Sequence, residues 1–161
     1  MTVLVKNLGN GIKNVKINDP KSYNSLTFAT LNLLLKTFQK MDKDNSTRVI
    51  ILEGAGKGFS AGHNLKEVRG LKKRSKYLKL FNLCSKLMIQ IVEGRKPVIA
   101  KVHGAAYAAG CQLVASCDLA YSLSLIHISE PTRHHAISYA GDHCHRLTFC
   151  LRFCATNNST R

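Results

Sequence analysis

Residues 2–8 and 12–18 are two short apolar-rich runs with strand character, and Gly9, Asn10 and Gly11 stand between them. An Asn-Gly pair accepts the positive φ angles of a tight hairpin turn, so the chain is predicted to open with a β-hairpin. Asp19-Pro20 interrupts the second run, because a proline removes a ladder donor and restricts the residue before it. From Thr27 to Met41 the period lengthens: Leu31, Leu34, Leu35, Phe38 and Met41 recur at helical spacing and predict an amphipathic helix with one buried stripe. Arg48-Val-Ile-Ile-Leu-Glu53 is a short β-branched run, which predicts a strand buried on both faces of a parallel sheet. Tyr77, Phe81, Cys84, Met88 and Ile91 mark a second helix, ended by Gly94 and Pro97. Pro97-Val-Ile-Ala-Lys-Val102 is another strand, and after a loop and a short helix Cys117-Asp-Leu-Ala-Tyr121 closes the series.

This order of hairpin, helix, strand, helix, strand, short helix and strand is that of an α/β chain with parallel strands joined by helical crossovers. In such sheets ligands gather beyond the carboxyl ends of the strands. Two unusual loops fall there: GKGFSAGHNL at 56–65 and HGAAYAAGCQLVASCD at 103–118. Their glycines and alanines leave the backbone accessible, and a helix N-terminus behind each offers unpaired N–H donors. Two such loops on neighbouring strands are suited to aim two N–H groups at one oxygen, the arrangement that stabilises a developing oxyanion.

Composition narrows the partners. The 161 residues carry 24 Lys and Arg against 9 Asp and Glu, a formal net charge of +15. Of these, 20 basic and 7 acidic residues fall before position 123, so the excess belongs to the folded part and favours anionic ligands. No apolar run reaches the roughly 18 residues of a membrane-spanning helix. Six cysteines without a secretory leader are expected to be reduced thiols in an intracellular protein. Lys72-Lys-Arg-Ser-Lys76 reads as a solvated charge run or a phosphate contact, and no RNA-binding aromatic motif or zinc-finger spacing supports nucleic acid as the partner. His143, Cys144, His145, Cys150 and Cys154 match no regular zinc spacing, so no metal is expected. Asn45-Ser-Thr and Asn158-Ser-Thr carry no meaning as glycosylation acceptors in an intracellular chain.

FSAGHNLKE (59–67) and VHGAAYAAGCQLVASCDLA (102–120), preceded by Asn24-Ser25-Leu26 and RVIILEG (48–54), together resemble the enoyl-CoA hydratase/isomerase or crotonase family. The pairing of FSAGH with AAGCQLVASCD is that of one particular branch within it. The resemblance covers residues 3–122 and implies an α/β fold, the ClpP/crotonase spiral of ββα units. It implies an acyl-CoA thioester as ligand, with coenzyme A entering as part of the substrate and no tightly bound cofactor. By the same resemblance His63 and Ala109 supply the two oxyanion N–H groups, Ser60, Ala61 and Asn64 line an adenine pocket, and Lys66 and Gly110 complete the cofactor-binding set. Homotrimeric or hexameric assembly and a mitochondrial location are implied as well, with the cytoplasm as the alternative location.

The sequence also departs from the family pattern. Hydratases of the family use two glutamates; the first aligns with Gln112, whose amide has no proton-transfer pKa near neutrality. Asn64 stands where many relatives have Asp, and Ala108-Ala109 where many have Gly-Gly. Asp118 is expected to be a buried structural carboxylate. The stretch SLSLIHISEPTRHH (122–135) resembles translated adapter read-through. Residues 1–122 are therefore expected to form a C-terminally incomplete crotonase-like core, and 123–161 a non-homologous tail, disordered or artefactual, that lacks the second glutamate.

Overall fold

The computed structural model describes residues 2–122. The expectations about residues 123–161, including the His143 to Cys154 cluster, lie outside them. The hairpin joins β1 (Val3–Gly9) and β2 (Ile12–Ile17) through Asn10 and Gly11, with φ of 50° and 78°. Both central residues of the two-residue turn thus take the left-handed values that Asn-Gly tolerates best. A short 3-10 turn (Pro20–Ser22) leads to α1 (Phe28–Lys43), then to β3 (Val49–Gly54), α2 (Leu65–Gly70), α3 (Arg74–Val92), β4 (Val98–Val102), α4 (Ala109–Ala115) and β5 (Leu119–Ser122). The Thr27 hydroxyl caps α1 by accepting from the Thr30 N–H at 3.1 Å.

One mixed sheet runs in the order β1-β2-β3-β4-β5, antiparallel across the hairpin and parallel elsewhere. Val15, Ile17, Ile50, Leu52, Val98 and Ala100 fill one face, and the buried stripes of α1 and α3 belong to the same core. On α1 the stripe is Leu31, Leu34, Phe38 and Met41, with Thr30 fully interior and Leu35 only partly so. On α3 it is Leu80, Leu83, Cys84, Leu87 and Ile91. This corrects the predicted stripe, since Phe81 is 47% exposed and Tyr77 and Met88 are only partly covered. Both patterns fit a period of 3.6, and only packing against α1 decides which side of so apolar a helix turns inward.

The expectation of a strand buried on both faces is also corrected. Ile50 and Leu52 are buried, but Val49 and Ile51 on the opposite face of β3 are only partly so, and Leu119, at the far end of the row Ile51, Ile99, Leu119, is exposed. A β-branched run specifies a strand without specifying how many layers cover it. On that second face Glu53 pairs in register with Lys16 of β2 and Lys101 of β4, with N–O distances of 2.8 and 3.3 Å. Burial pushes the Glu53 carboxyl up, but the hydrogen bonds and charges of the two ammoniums outweigh it and leave its pKa below the ordinary value. The stabilisation is therefore complete above the ordinary carboxylate range and lost as pH falls through the depressed folded value. Urea melts of wild type and Glu53→Gln between about pH 6 and about pH 3 should converge as the pH drops.

Candidate functional site

The two glycine-rich loops meet beyond the carboxyl ends of β3 and β4. Their meeting is organised by Asn24, which is fully buried with a φ of 54°. Its Nδ2 donates to the Ala55 carbonyl at 2.7 Å and the Gly58 carbonyl at 2.8 Å, while its Oδ1 accepts the Asp19 N–H at 2.9 Å. One side chain thereby ties the turn after the hairpin to the start of the first loop. An asparagine shortly after Asp-Pro is a recognisable turn signal, but its two distant carbonyl partners are not legible in the sequence.

From there the two loops run side by side. Ser60 and Ala106 form a parallel bridge, the Tyr107 N–H donates to the Ser60 carbonyl at 2.9 Å, and the His103 Nε2 lies 2.7 Å from the Gly56 carbonyl oxygen. Gly110 faces Ser60 so closely that a Cβ on it would lie 2.6 Å from the Ser60 carbonyl oxygen. Gly110 is thus a packing residue between the loops. Ser60 belongs to the same contact: it is 1% exposed, its hydroxyl donates to the Asn24 carbonyl at 2.9 Å, and that oxygen accepts the Gly62 N–H at 3.2 Å. Both bonds hold the hydroxyl toward the interior. Asn64 is the N-cap of α2, accepting from Lys66 and Glu67 and donating to the Ser25 hydroxyl at 3.1 Å. Ala61 and Lys66 are exposed, as is Gln112 on α4.

His63 and Ala109 sit at the centre of this contact. Gly62 has a φ of 80°, and a Cβ there would lie 3.1 Å from the Ala109 nitrogen and 2.8 Å from the Tyr107 oxygen. Covalent geometry then keeps the His63 and Ala109 nitrogens within about 7 Å of each other. The orientation of both N–H groups follows from planar trans peptides, in which N–H and C=O point in opposite directions. The Gly62 carbonyl accepts from Leu26 N–H at 2.7 Å, so the His63 N–H points away from Leu26. The Ala108 carbonyl accepts from Gln112 N–H at 3.0 Å along α4, so the Ala109 N–H points out of the helix start. Among the described residues neither N–H has an acceptor.

Ala108 holds φ 46° and ψ −117°, a conformation that suits glycine and strains an L residue. Ala108→Gly should stabilise the protein by about 1 kcal/mol in urea unfolding without moving α4.

The His63 ring packs edge-on against Phe81 of α3, with centroids 5.1 Å apart and planes at 79°. Burial lowers its pKa, with the Leu26 backbone and the Glu67 carboxylate pulling the other way, although no hydrogen bond of normal geometry reaches the buried Nδ1. Asp118 is corrected from buried to exposed; its Oδ2 accepts the Val98 N–H at 2.8 Å and so fastens the start of β4 to the turn before β5. Hollows of about 330 and 260 Å³ lie along α1 and α3, lined by residues of those helices and by none of the loop residues.

A profile of the enoyl-CoA hydratase/isomerase family matches residues 7–131. The mitochondrial enoyl-CoA hydratase domain-containing protein 3 of Homo sapiens is 44% identical over 110 residues, covering 68% of this chain and 36% of that protein. The crystal structure of the human protein of that name superposes with a TM-score of 0.72 at 40% identity, over 76% of this chain and 48% of the other. An enoyl-CoA hydratase from Mycobacterium smegmatis superposes with a TM-score of 0.74 at 43% identity, again over 76% of this chain and 48% of the other. The chain therefore spans about a third to a half of the length of these relatives.

Proposed function

This chain belongs to the enoyl-CoA hydratase/isomerase family and has its crotonase-like fold, and we propose that it binds an acyl-CoA thioester whose carbonyl oxygen is held by the N–H groups of His63 and Ala109. The supporting observation is the pair of acceptor-free amides on two adjoining loops, each with its direction fixed by the carbonyl of its own peptide unit. As the α-carbon of the thioester loses a proton, negative charge collects on that oxygen, and a preset donor is typically worth about 3–4 kcal/mol in the transition state. The amides need no proton transfer of their own, so the site stabilises enolate character whatever group moves the proton.

Gln112 directs the finer reading. It lies one turn after Ala109 on α4 and is open to solvent. Its amide hydrogen-bonds a water or a substrate but takes no proton, which disfavours the hydration in which two glutamates share the proton shuttle. Fatty acyl-CoA metabolism is the proposed setting, with the mitochondrion carried by the names of the relatives. A second reading, a thioester-binding protein without hydratase turnover, is favoured by the same Gln112.

The test is an ¹⁵N-edited titration with a short acyl-CoA beside one with free coenzyme A. The acyl ligand should move the His63 and Ala109 amide protons downfield and the free thiol, which lacks the carbonyl, should not. Unmoved amides at saturation would remove the basis of the proposal. Crotonyl-CoA turnover separates the two readings, since hydration above background would eliminate the binding-only one.

A further inference from the structure

A chain of side-chain hydrogen bonds runs behind His63. The Asn64 Oδ1 accepts the Lys66 and Glu67 N–H groups at 3.0 and 3.1 Å, so its Nδ2 is the atom that donates to the Ser25 hydroxyl at 3.1 Å. Ser25 gives its own hydrogen to the Ser22 hydroxyl at 2.9 Å, and Ser22 gives its hydrogen to the Asp19 carboxylate. Each hydrogen has one direction, because backbone donors fix the amide at one end and a carboxylate, which only accepts, closes the other. Ser25 is buried, and Asp19, Ser22 and Asn64 are half-buried.

This chain brackets the peptide unit that carries the His63 N–H. Leu26, next to Ser25, donates to the Gly62 carbonyl at 2.7 Å, and Leu26 and His63 form a parallel bridge. Asn64, next to His63, holds Ser25 from the other side. We infer that Asn64 is a positioning residue for the thioester site, keeping the His63 N–H aimed at the acyl oxygen through the one-way chain that ends on Asp19. The inference rests on the acyl-CoA reading above and adds to it a group that touches no reacting atom.

The polarity of the chain separates this role from ordinary packing. A carboxylate at position 64 accepts where the amide donated. Two hydroxyl hydrogens then serve three contacts, and one pair of oxygens is left without a hydrogen between them. Adding Asp19→Asn reverses the whole chain: the new amide donates to Ser22, Ser22 to Ser25, and Ser25 to the carboxylate at 64. Every contact regains its hydrogen, although the added charge beside Glu67 remains.

Calorimetric titration should show that Asn64→Asp raises the dissociation constant of a short acyl-CoA about fivefold more than that of free coenzyme A. The downfield shift of the His63 amide proton on acyl-CoA binding should shrink with it. Asn64→Asp combined with Asp19→Asn should recover both, and Asp19→Asn alone should change either by no more than about twofold, since an amide turns its oxygen to Ser22. In a Ser22→Ala background Asn64→Asp should do no further harm, because the frustrated pair of oxygens is gone, whereas plain repulsion between carboxylates would persist. A wild type that binds acyl-CoA, with an Asn64→Asp deficit that the double variant fails to recover or that survives Ser22→Ala, would overturn the positioning role and leave the thioester reading standing. Equal losses for acyl-CoA and free coenzyme A would do the same. Wild-type amides unmoved by acyl-CoA would remove the thioester reading, and this inference with it.

Discussion

Gly62→Ala should destabilise the protein by about 3 kcal/mol and weaken acyl-CoA binding about tenfold. The residue combines two constraints that rarely coincide. Its φ of 80° already disfavours an L side chain, and the added methyl would stand 2.8 Å from the Tyr107 oxygen and 3.1 Å from the Ala109 nitrogen. Both obstacles are backbone atoms, so no rotamer change relieves them. The second loop must retreat by several tenths of an ångström, and the Ala109 N–H retreats with it. Two donors that served one oxygen would then be misplaced, and a weakened hydrogen bond of about 1 kcal/mol net lowers affinity by up to about tenfold. Urea unfolding and calorimetric titration with a short acyl-CoA measure the two effects separately. Normal binding by a stable Gly62→Ala protein would show that the close approach of the loops is irrelevant to the ligand.

Asn24→Ala should destabilise the fold by about 4 kcal/mol, a large share of a typical domain's stability. The substitution strands the buried Gly58 carbonyl and the part-buried Ala55 carbonyl and Asp19 N–H, and it places alanine at a φ of 54°. Asn24→Asp separates these contributions. Aspartate tolerates the left-handed backbone and keeps the acceptor for Asp19, but it turns an oxygen toward two carbonyls where a donor stood. It should therefore be nearly as harmful as alanine, and a mild Asn24→Asp phenotype would mean that backbone strain, not the two lost donors, dominates. Urea midpoints at neutral pH decide between them.

How far such residues can be read in advance varies with the kind of information they carry. The hairpin was legible because Asn-Gly is a local solution to a local problem, and α1 because its apolar period has one clear side. The two loops were legible as a pair: neither glycine-rich stretch is distinctive alone, but both follow strands, and FSAGH with AAGCQLVASCD belongs to one branch of the family. Gln112 could be singled out as an expected departure from hydratase chemistry because an amide differs from a carboxylate whatever surrounds it.

Other features depended on neighbours far along the chain. Ser60 reads like a loop hydroxyl, yet Asn24, 36 residues earlier, engages it in the interior. Asp118 keeps its structural hydrogen bond but sits at the surface, because its partner is the Val98 N–H at the strand's open end. The side of α3 that turns inward was not decidable from spacing, since Leu80 and Phe81 both extend plausible apolar stripes and only α1 and the sheet select between them. What the sequence determined by itself was the succession of elements, the backbone freedom at the turns and the chemical identity of each group, all properties of residues and their near neighbours. Which hydroxyl is consumed, which apolar face remains open and which two amides share a small volume were decided by tertiary structure alone, because burial and direction are set by atoms that only folding brings together.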